Sequence, residues 1–180
     1  QSAQIKEESV NSLYRESQNR IRSIALIHEN LYHSEDLASI NFAGYVKNLI
    51  TDLFDSYGVD SEIIKPILSI DNVIMGIETA IPCGLIINEI VSNSLKHGFK
   101  EGTDGKVELN LHETGKRRFT LKVKDNGSPF PPDFNFNSTD TLGLQLINSL
   151  VNQLDAKIEL NQENKEFKIV FEELKYKERI

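Results

Sequence analysis

Two stretches of strict alternation, Val107, Leu109, Leu111 and Phe119, Leu121, Val123, separated by the turn-like ETGKRR, limit what this chain can fold into more than any other feature. Successive side chains of a strand point to opposite faces, so each stretch has one apolar and one polar face. Joined by a short polar turn they form an antiparallel hairpin whose apolar face needs a cover. Ile158 and Leu160, followed by Phe167, Ile169 and Phe171, repeat the pattern and close the chain as a second hairpin. Helices have to supply the cover. Helical spacing runs through Phe42, Tyr45, Val46, Leu49, Ile50, Leu53 and Phe54, through Leu85, Ile86, Ile90, Leu95 and Phe99, and from Leu142 to Leu154. The expected fold is an α/β (α+β) two-layer sandwich, a mixed, mostly antiparallel sheet packed on helices.

A long helix precedes this unit. Val10, Leu13, Ile21, Ile24, Ile27 or His28, and Leu31 recur at steps of three, four and seven with a polar interruption at Ser17, an apolar edge that needs a partner. HSEDLASIN is a polar connection, Ser39 or Asn41 can cap the next helix, and Gly58 suits its end. The division falls here, giving segments 1–38 and 39–180. IIKPILSIDNVIMGI reads as one or two short strands around a turn, and Thr79 and Pro82 open the following helix. DNGSPFPPDFNFNSTDT holds three of the five prolines and no periodicity, which marks a long, functional loop.

Charge and cysteine content exclude several functions. Twenty Lys and Arg against 27 Asp and Glu give a formal charge of −7, which argues against broad contact with nucleic acid and confines phosphate binding to a local site. The single cysteine, Cys83, excludes an internal disulfide and a multi-cysteine zinc site, and in the first turns of its helix it reads as a small hydrophobe. No apolar run reaches the roughly 18 residues of a membrane span, and QSAQIKEESV lacks the regions of a signal peptide. The expectation is a cytoplasmic chain with no direct membrane segment. A start without Met, inside a running helical pattern, is expected of a fragment.

The helix from about Ala80 to Phe99 carries Asn88, Glu89, Asn93, Lys96 and His97. Glu89, Asn93 and Lys96 share a face at spacings of four and three, with His97 beside them. Oxygen ligands suit Mg²⁺ and cationic donors suit phosphate, so the set matches a nucleotide and Mg²⁺ site; the other reading is a polar face that meets water. Asp125-Asn126-Gly127 ends a strand, where a carboxylate can accept from an exocyclic amine and Gly allows close approach to the backbone. Gly143 lies where the loop becomes a helix, a place with free backbone N–H groups for phosphate.

NEIVSNSLKHGF, then KVKDNG, then LGLQLINSLV, in that order, resemble the N-box, glycine boxes and ATP lid of the ATP-binding domain of sensor histidine kinases, the GHKL or Bergerat-fold ATPases. ESQNRIRSIALIHENLYHSEDL is similar to the second helix of the dimerisation and phosphotransfer region in a subfamily related to light- and PAS-regulated kinases. The resemblance implies that Asn93 coordinates Mg²⁺ and that Glu89 orients a water or nucleophile. Lys96 and His97 would approach the phosphates of ATP, Asp125 would accept from the adenine amine with Gly127 admitting the base, and Gly143 with the Leu144 backbone would lie by the phosphates. Residues of about 128 to 141 would form the lid. Homodimerisation through the dimerisation helices and a response regulator are the implied partners.

Two departures stand out. The first glycine box of the family often reads Asp-x-Gly-x-Gly, and here Pro129 replaces the second Gly, a residue of fixed φ that stiffens the start of the lid. The acceptor histidine of the subfamily lies in a motif on the first dimerisation helix, and this chain has no such motif. His28, flanked by ALIHENLY, matches the second helix and reads as a packing or interface residue, and His33 and His112 as surface or turn residues. The chain is thus expected to be the catalytic part of a histidine kinase. The alternatives are an anti-sigma-type serine kinase, against which the long N-terminal helix speaks, and a nucleotide-binding or interaction module without catalysis.

Overall fold

A computed structural model describes residues 2–32, 39–100, 102–131, 134–136 and 141–174, with side chains from residue 10 onward except at 12 and 30–32. Helix α1 (Ser2–Tyr32) leads into a short strand β1 (Ser39–Asn41) and helix α2 (Phe42–Tyr57). Asn41 caps α2 by accepting from the Gly44 N–H at 3.0 Å, and Gly58 ends it in the left-handed conformation at φ 64°. Strands β2 (Ile64–Ile70) and β3 (Ile74–Gly76) follow, then α3 (Ile77–Asn93) running into a π-helical turn at Ser94–Gly98. Strands β4 (Gly105–Gly115) and β5 (Arg118–Asp125), helix α4 (Leu142–Gln153) and strands β6 (Lys157–Asn161) and β7 (Glu166–Glu172) complete the order.

The main sheet runs β2-β4-β5-β7-β6, parallel between β2 and β4 and antiparallel elsewhere, as the alternation requires. Val107, Leu109, Leu111, Phe119, Leu121, Val123, Phe167, Ile169 and Phe171 are buried against a helical layer built on α2, α3 and α4. The parity that buries Phe119, Leu121 and Val123 also buries Asp125 at the end of β5, so a carboxylate faces the helices. The expected two-layer sandwich is the fold observed.

Three local expectations change, and one falls outside the described residues. Ser39–Asn41 is not only a polar connection: it pairs antiparallel with β3, a contact between segments far apart in sequence. Residues 33–38, including His33, lie outside the described residues, as does much of the expected lid. Helix α3 opens at Ile77, so Pro82 sits in its second turn and leaves the Glu78 carbonyl without its N–H partner. The expected helix to Phe99 widens into the π turn after Asn93, which turns Lys96 and His97 away from the face that regular spacing gives them.

Helix α1 departs most from its expected face. Val10, Leu13 and Ile21 of the expected edge are more than half exposed, whereas Ile24 and Ile27 pack on the core as expected, and the fully docked line is Asn19, Ser23 and Ile27, spaced by four. His28 is exposed on the same helix. The docked side is largely polar because it meets polar groups: Ser23 shares a 2.7 Å hydrogen bond with the buried Tyr45 hydroxyl, and Ser56 donates to Asn19 at 2.9 Å. Among the described residues, no helix is long and apolar enough to cross a membrane.

Candidate functional site

Between α3 with its π turn, the end of β5, the start of the loop, the start of α4, the start of β7 with the turn before it, and Leu13 and Glu16 of α1 lies a cavity of about 660 Å³. That is within the range of small-molecule sites. Its lining includes Asn93, Lys96, His97, Asp125 and Gly143, residues separated by up to 50 positions in sequence. The sheet places Asp125 at one end through β5, and α3 places Asn93 at the other.

Asp125 is 8% exposed and richly partnered. Its Oδ2 accepts from the Ser94 hydroxyl at 2.7 Å, and its Oδ1 accepts from the Gly127 N–H at 2.9 Å and from Lys165 Nζ at 2.5 Å. Gly127 is held against the π turn: the Ser128 N–H donates to the Gly98 carbonyl at 2.5 Å, and a Cβ on Gly127 would lie 2.0 Å from that oxygen. At the far end, a Cβ on Gly143 would come within 2.9 Å of Glu89 Oε2 and 3.9 Å of Asn93 Nδ2. The first turn of α4 therefore approaches the polar face of α3 closely. Leu144 follows, buried in the core with its backbone in that turn.

Glu89 and Lys96 have partners on α1. Arg20 donates to both oxygens of Glu89, Nε to Oε1 and Nη2 to Oε2, each at 2.8 Å, and Asn88 Nδ2 adds a 3.0 Å bond to Oε1. The Glu89 side chain is buried, and its pairing holds the Arg20 guanidinium above its ordinary pKa. Lys96 Nζ forms a short ion pair with Glu16. Nothing local in the sequence marks Glu16 and Arg20 for these partners, because they lie beside the apolar edge of α1 among other charged residues.

His97 is exposed to solvent on one side of the π turn. Desolvation of the ring first, and the Lys96 charge second, lower its pKa, so at neutral pH it offers a hydrogen bond and no charge. The sign for stability follows: below the ordinary imidazole value the unfolded chain takes up the proton first, and stability falls with pH. His97→Gln should flatten that fall, read as the difference in thermal midpoint between about pH 7.5 and about pH 5.5, on either side of the ordinary imidazole value. An unchanged difference would contradict the lowered pKa of His97. Cys83 is fully enclosed, and burial alone raises its thiol pKa, in keeping with a small hydrophobe. His112 is on the surface of β4, paired with Asp71 at 3.0 Å.

Lys165 is a site residue that sequence reasoning missed. It precedes β7 in the β6–β7 turn, yet it is 8% exposed. The available signal was parity, since Lys165 extends the inward series Phe167, Ile169, Phe171 by one step of two.

Comparison with known proteins bears on the family and the fold. The sequence profile of the histidine kinase-like ATPase domain matches residues 51–170, and a histidine kinase profile matches residues 1–57. A sensor histidine kinase, PdtaS, from Mycolicibacterium smegmatis is 30% identical over 145 residues, 79% of this chain and 28% of that protein. Blue-light-activated histidine kinase 2 from Erythrobacter litoralis is 28% identical over 99 residues, 55% of this chain and 29% of that protein. The chain thus spans less than a third of the length of these curated relatives. Among solved structures, the histidine kinase domain of a blue-light-activated histidine kinase from Erythrobacter litoralis superposes with a TM-score of 0.78 at 21% identity, covering 87% of this chain and 74% of that one.

Proposed function

This chain belongs to the histidine kinase-like ATPase domain family, and from that premise we propose that it is the ATP-binding catalytic part of a two-component sensor histidine kinase. It would transfer the γ-phosphoryl group of ATP to a histidine on the other helix of its dimerisation region. One observation carries the reading: Asn93, Asp125 and Gly143 converge on a single cavity of about 660 Å³. The match of residues 1–57 to a histidine kinase profile favours this over an anti-sigma-type serine kinase.

In this reading segment 1–38 belongs to the dimerisation region and segment 39–180 is the catalytic domain. Asp125 retains acceptor capacity for the adenine amine, since a carboxylate has about four lone-pair sites and three donors occupy it. Gly143 lets the start of α4 come close to α3, and the backbone N–H groups there, Leu144 included, suit phosphate. Asn93 is the residue that would hold Mg²⁺, an amide oxygen beside the phosphate end; the ion, when bound, neutralises phosphate charge. Lys96 and His97 lie on the same wall. Arg20 occupies both oxygens of Glu89, so a role for Glu89 toward a water or a nucleophile requires that pair to open. Phosphoryl transfer depends chiefly on positioning and charge neutralisation, which this inventory provides.

The exposed side of α1, with Val10, Leu13, Tyr14 and Ile21, supports a homodimer through the dimerisation helices. A response regulator as the phosphoryl acceptor and a cytoplasmic setting complete the proposal.

Titration calorimetry tests it. The wild-type chain is expected to bind a non-hydrolysable ATP analogue more tightly with Mg²⁺ than without, and Asn93→Ala to lose that gain. Equal affinity with and without Mg²⁺ in the wild type would contradict the role given to Asn93. Absence of binding at millimolar nucleotide would leave the module without catalysis.

A further inference from the structure

Lys165 stands in a turn between two strands, yet its side chain points into the cavity wall. A lysine ammonium is strongly hydrated and is rarely buried without a purpose or a partner. Here the side chain is 9% exposed, and its Nζ sits 2.5 Å from Asp125 Oδ1 and 5.4 Å from the centroid of the Phe130 ring. Its backbone adopts φ 50°, a left-handed conformation uncommon for a residue with a side chain. The placement is set by the sheet. Strands β5 and β7 pair Val123 with Phe167 and Lys124 with Glu166, so the next step of the register sets Asp125 opposite Lys165.

This juxtaposition builds an acceptor and a donor side by side at one end of the cavity. Asp125 supplies the acceptor. Lys165 has three N–H bonds, of which Asp125 takes one. The edge of adenine presents a matching pair: an amino group that donates, and next to it the ring nitrogen N1, which accepts. Guanine presents the reverse, an oxo group that accepts and an N1–H that donates, and in the same pose would set its oxo group against the carboxylate.

We propose that Lys165 is a base-recognition residue that donates a hydrogen bond to N1 of adenine while Asp125 accepts from the adenine amino group. The inference rests on the nucleotide reading of the cavity. Lys165 then does two things: it offsets the charge of a buried carboxylate whose other donors, Ser94 and the Gly127 N–H, are neutral, and it reads the base. An ordinary structural role would need only the first.

The test separates the two by deleting the acceptor on the ligand. Calorimetry compares ATP with 1-deaza-ATP, in which N1 is replaced by C–H, on the wild-type chain and on Lys165→Met. A hydrogen bond to a charged group is lost in one case and absent in the other, so the wild type is expected to bind 1-deaza-ATP about tenfold to a hundredfold more weakly than ATP. Lys165→Met should bind the two nucleotides with equal affinity. Equal affinities in the wild type, or the same ratio in the wild type and Lys165→Met, would overturn the inference and leave Lys165 as a counter-charge only. The wild-type comparison needs no variant to fold. Failure of the underlying reading has a different signature, since it predicts that the wild type binds neither nucleotide; that result would overturn the inference as well.

Discussion

Gly127→Ala is expected to abolish measurable nucleotide binding and to cost about 3 kcal/mol of stability, the upper part of the usual range for overpacking. The added Cβ would lie 2.0 Å from the Gly98 carbonyl oxygen and 2.5 Å from its carbon, and backbone atoms cannot rotate aside as a flexible side chain can. The start of the loop would have to separate from the π turn. That separation strains the 2.5 Å bond from the Ser128 N–H to Gly98 and the 2.9 Å bond from the Gly127 N–H to Asp125. Both ends of the Asp125 network move with it. For a chain of this length the thermal midpoint should fall by roughly 10 °C.

Gly58→Ala serves as the contrast. Gly58 has φ 64°, and a Cβ there would have no atom within 4 Å, so the substitution strains the backbone without meeting a neighbour. Its cost should be about 1 kcal/mol, with nucleotide affinity unchanged. Similar losses of affinity for the two variants, measured by calorimetry beside thermal unfolding, would mean that Gly127 matters through general stability rather than through the Asp125 turn.

The difference between these glycines also shows what the sequence could convey. Gly58 was legible because its neighbours end a helical pattern, a local signal. The need for Gly at 127 comes from Gly98, 29 residues away across the fold, and no local pattern encodes that approach. The same holds elsewhere. Alternation in β4, β5 and β7 disclosed the hairpins, the buried face and, by parity, the inward direction of Asp125. It could not disclose that β2 pairs in parallel with β4, because that pairing spans a whole helix and its turn. Lys165 was encoded in the same alternation, but a lysine in a turn between two strands usually faces water, and nothing local marks this one as an exception. The apolar edge of α1 was legible only in part: Ile24 and Ile27 dock as their spacing predicts, but Val10, Leu13 and Ile21 lie on the open side, and Asn19, Arg20 and Ser23 dock through hydrogen bonds and an ion pair that hydrophobic spacing does not register.

That polar seam leads to the second large effect. Arg20→Met should destabilise the chain by about 3 kcal/mol, because removing one partner leaves the buried Glu89 carboxylate with the Asn88 amide alone. An exposed pair would behave differently: the median surface ion pair is worth no more than about 1 kcal/mol. The double variant Arg20→Met, Glu89→Gln removes the uncompensated charge and should recover more than half of the loss. The coupling between the two sites, taken from thermal or denaturant unfolding of all four chains, isolates the pair from the packing of the arginine stem. Additive losses would show that Arg20 acts through its stem and not through its charge. Hydrogen exchange should localise the change, with amides of α1 exchanging faster in Arg20→Met while those of β4, β5 and β7 keep their protection. Stability and ligand affinity should then part company. Arg20 does not line the cavity, and loosening α1 weakens the Glu16 pair that occupies Lys96. Leu13 and Glu16 of α1 line the cavity but are not among the residues given to the nucleotide, so Mg-ATP affinity is expected not to fall in Arg20→Met, and a loss of affinity alongside the loss of stability would mean that this wall of the cavity holds the nucleotide.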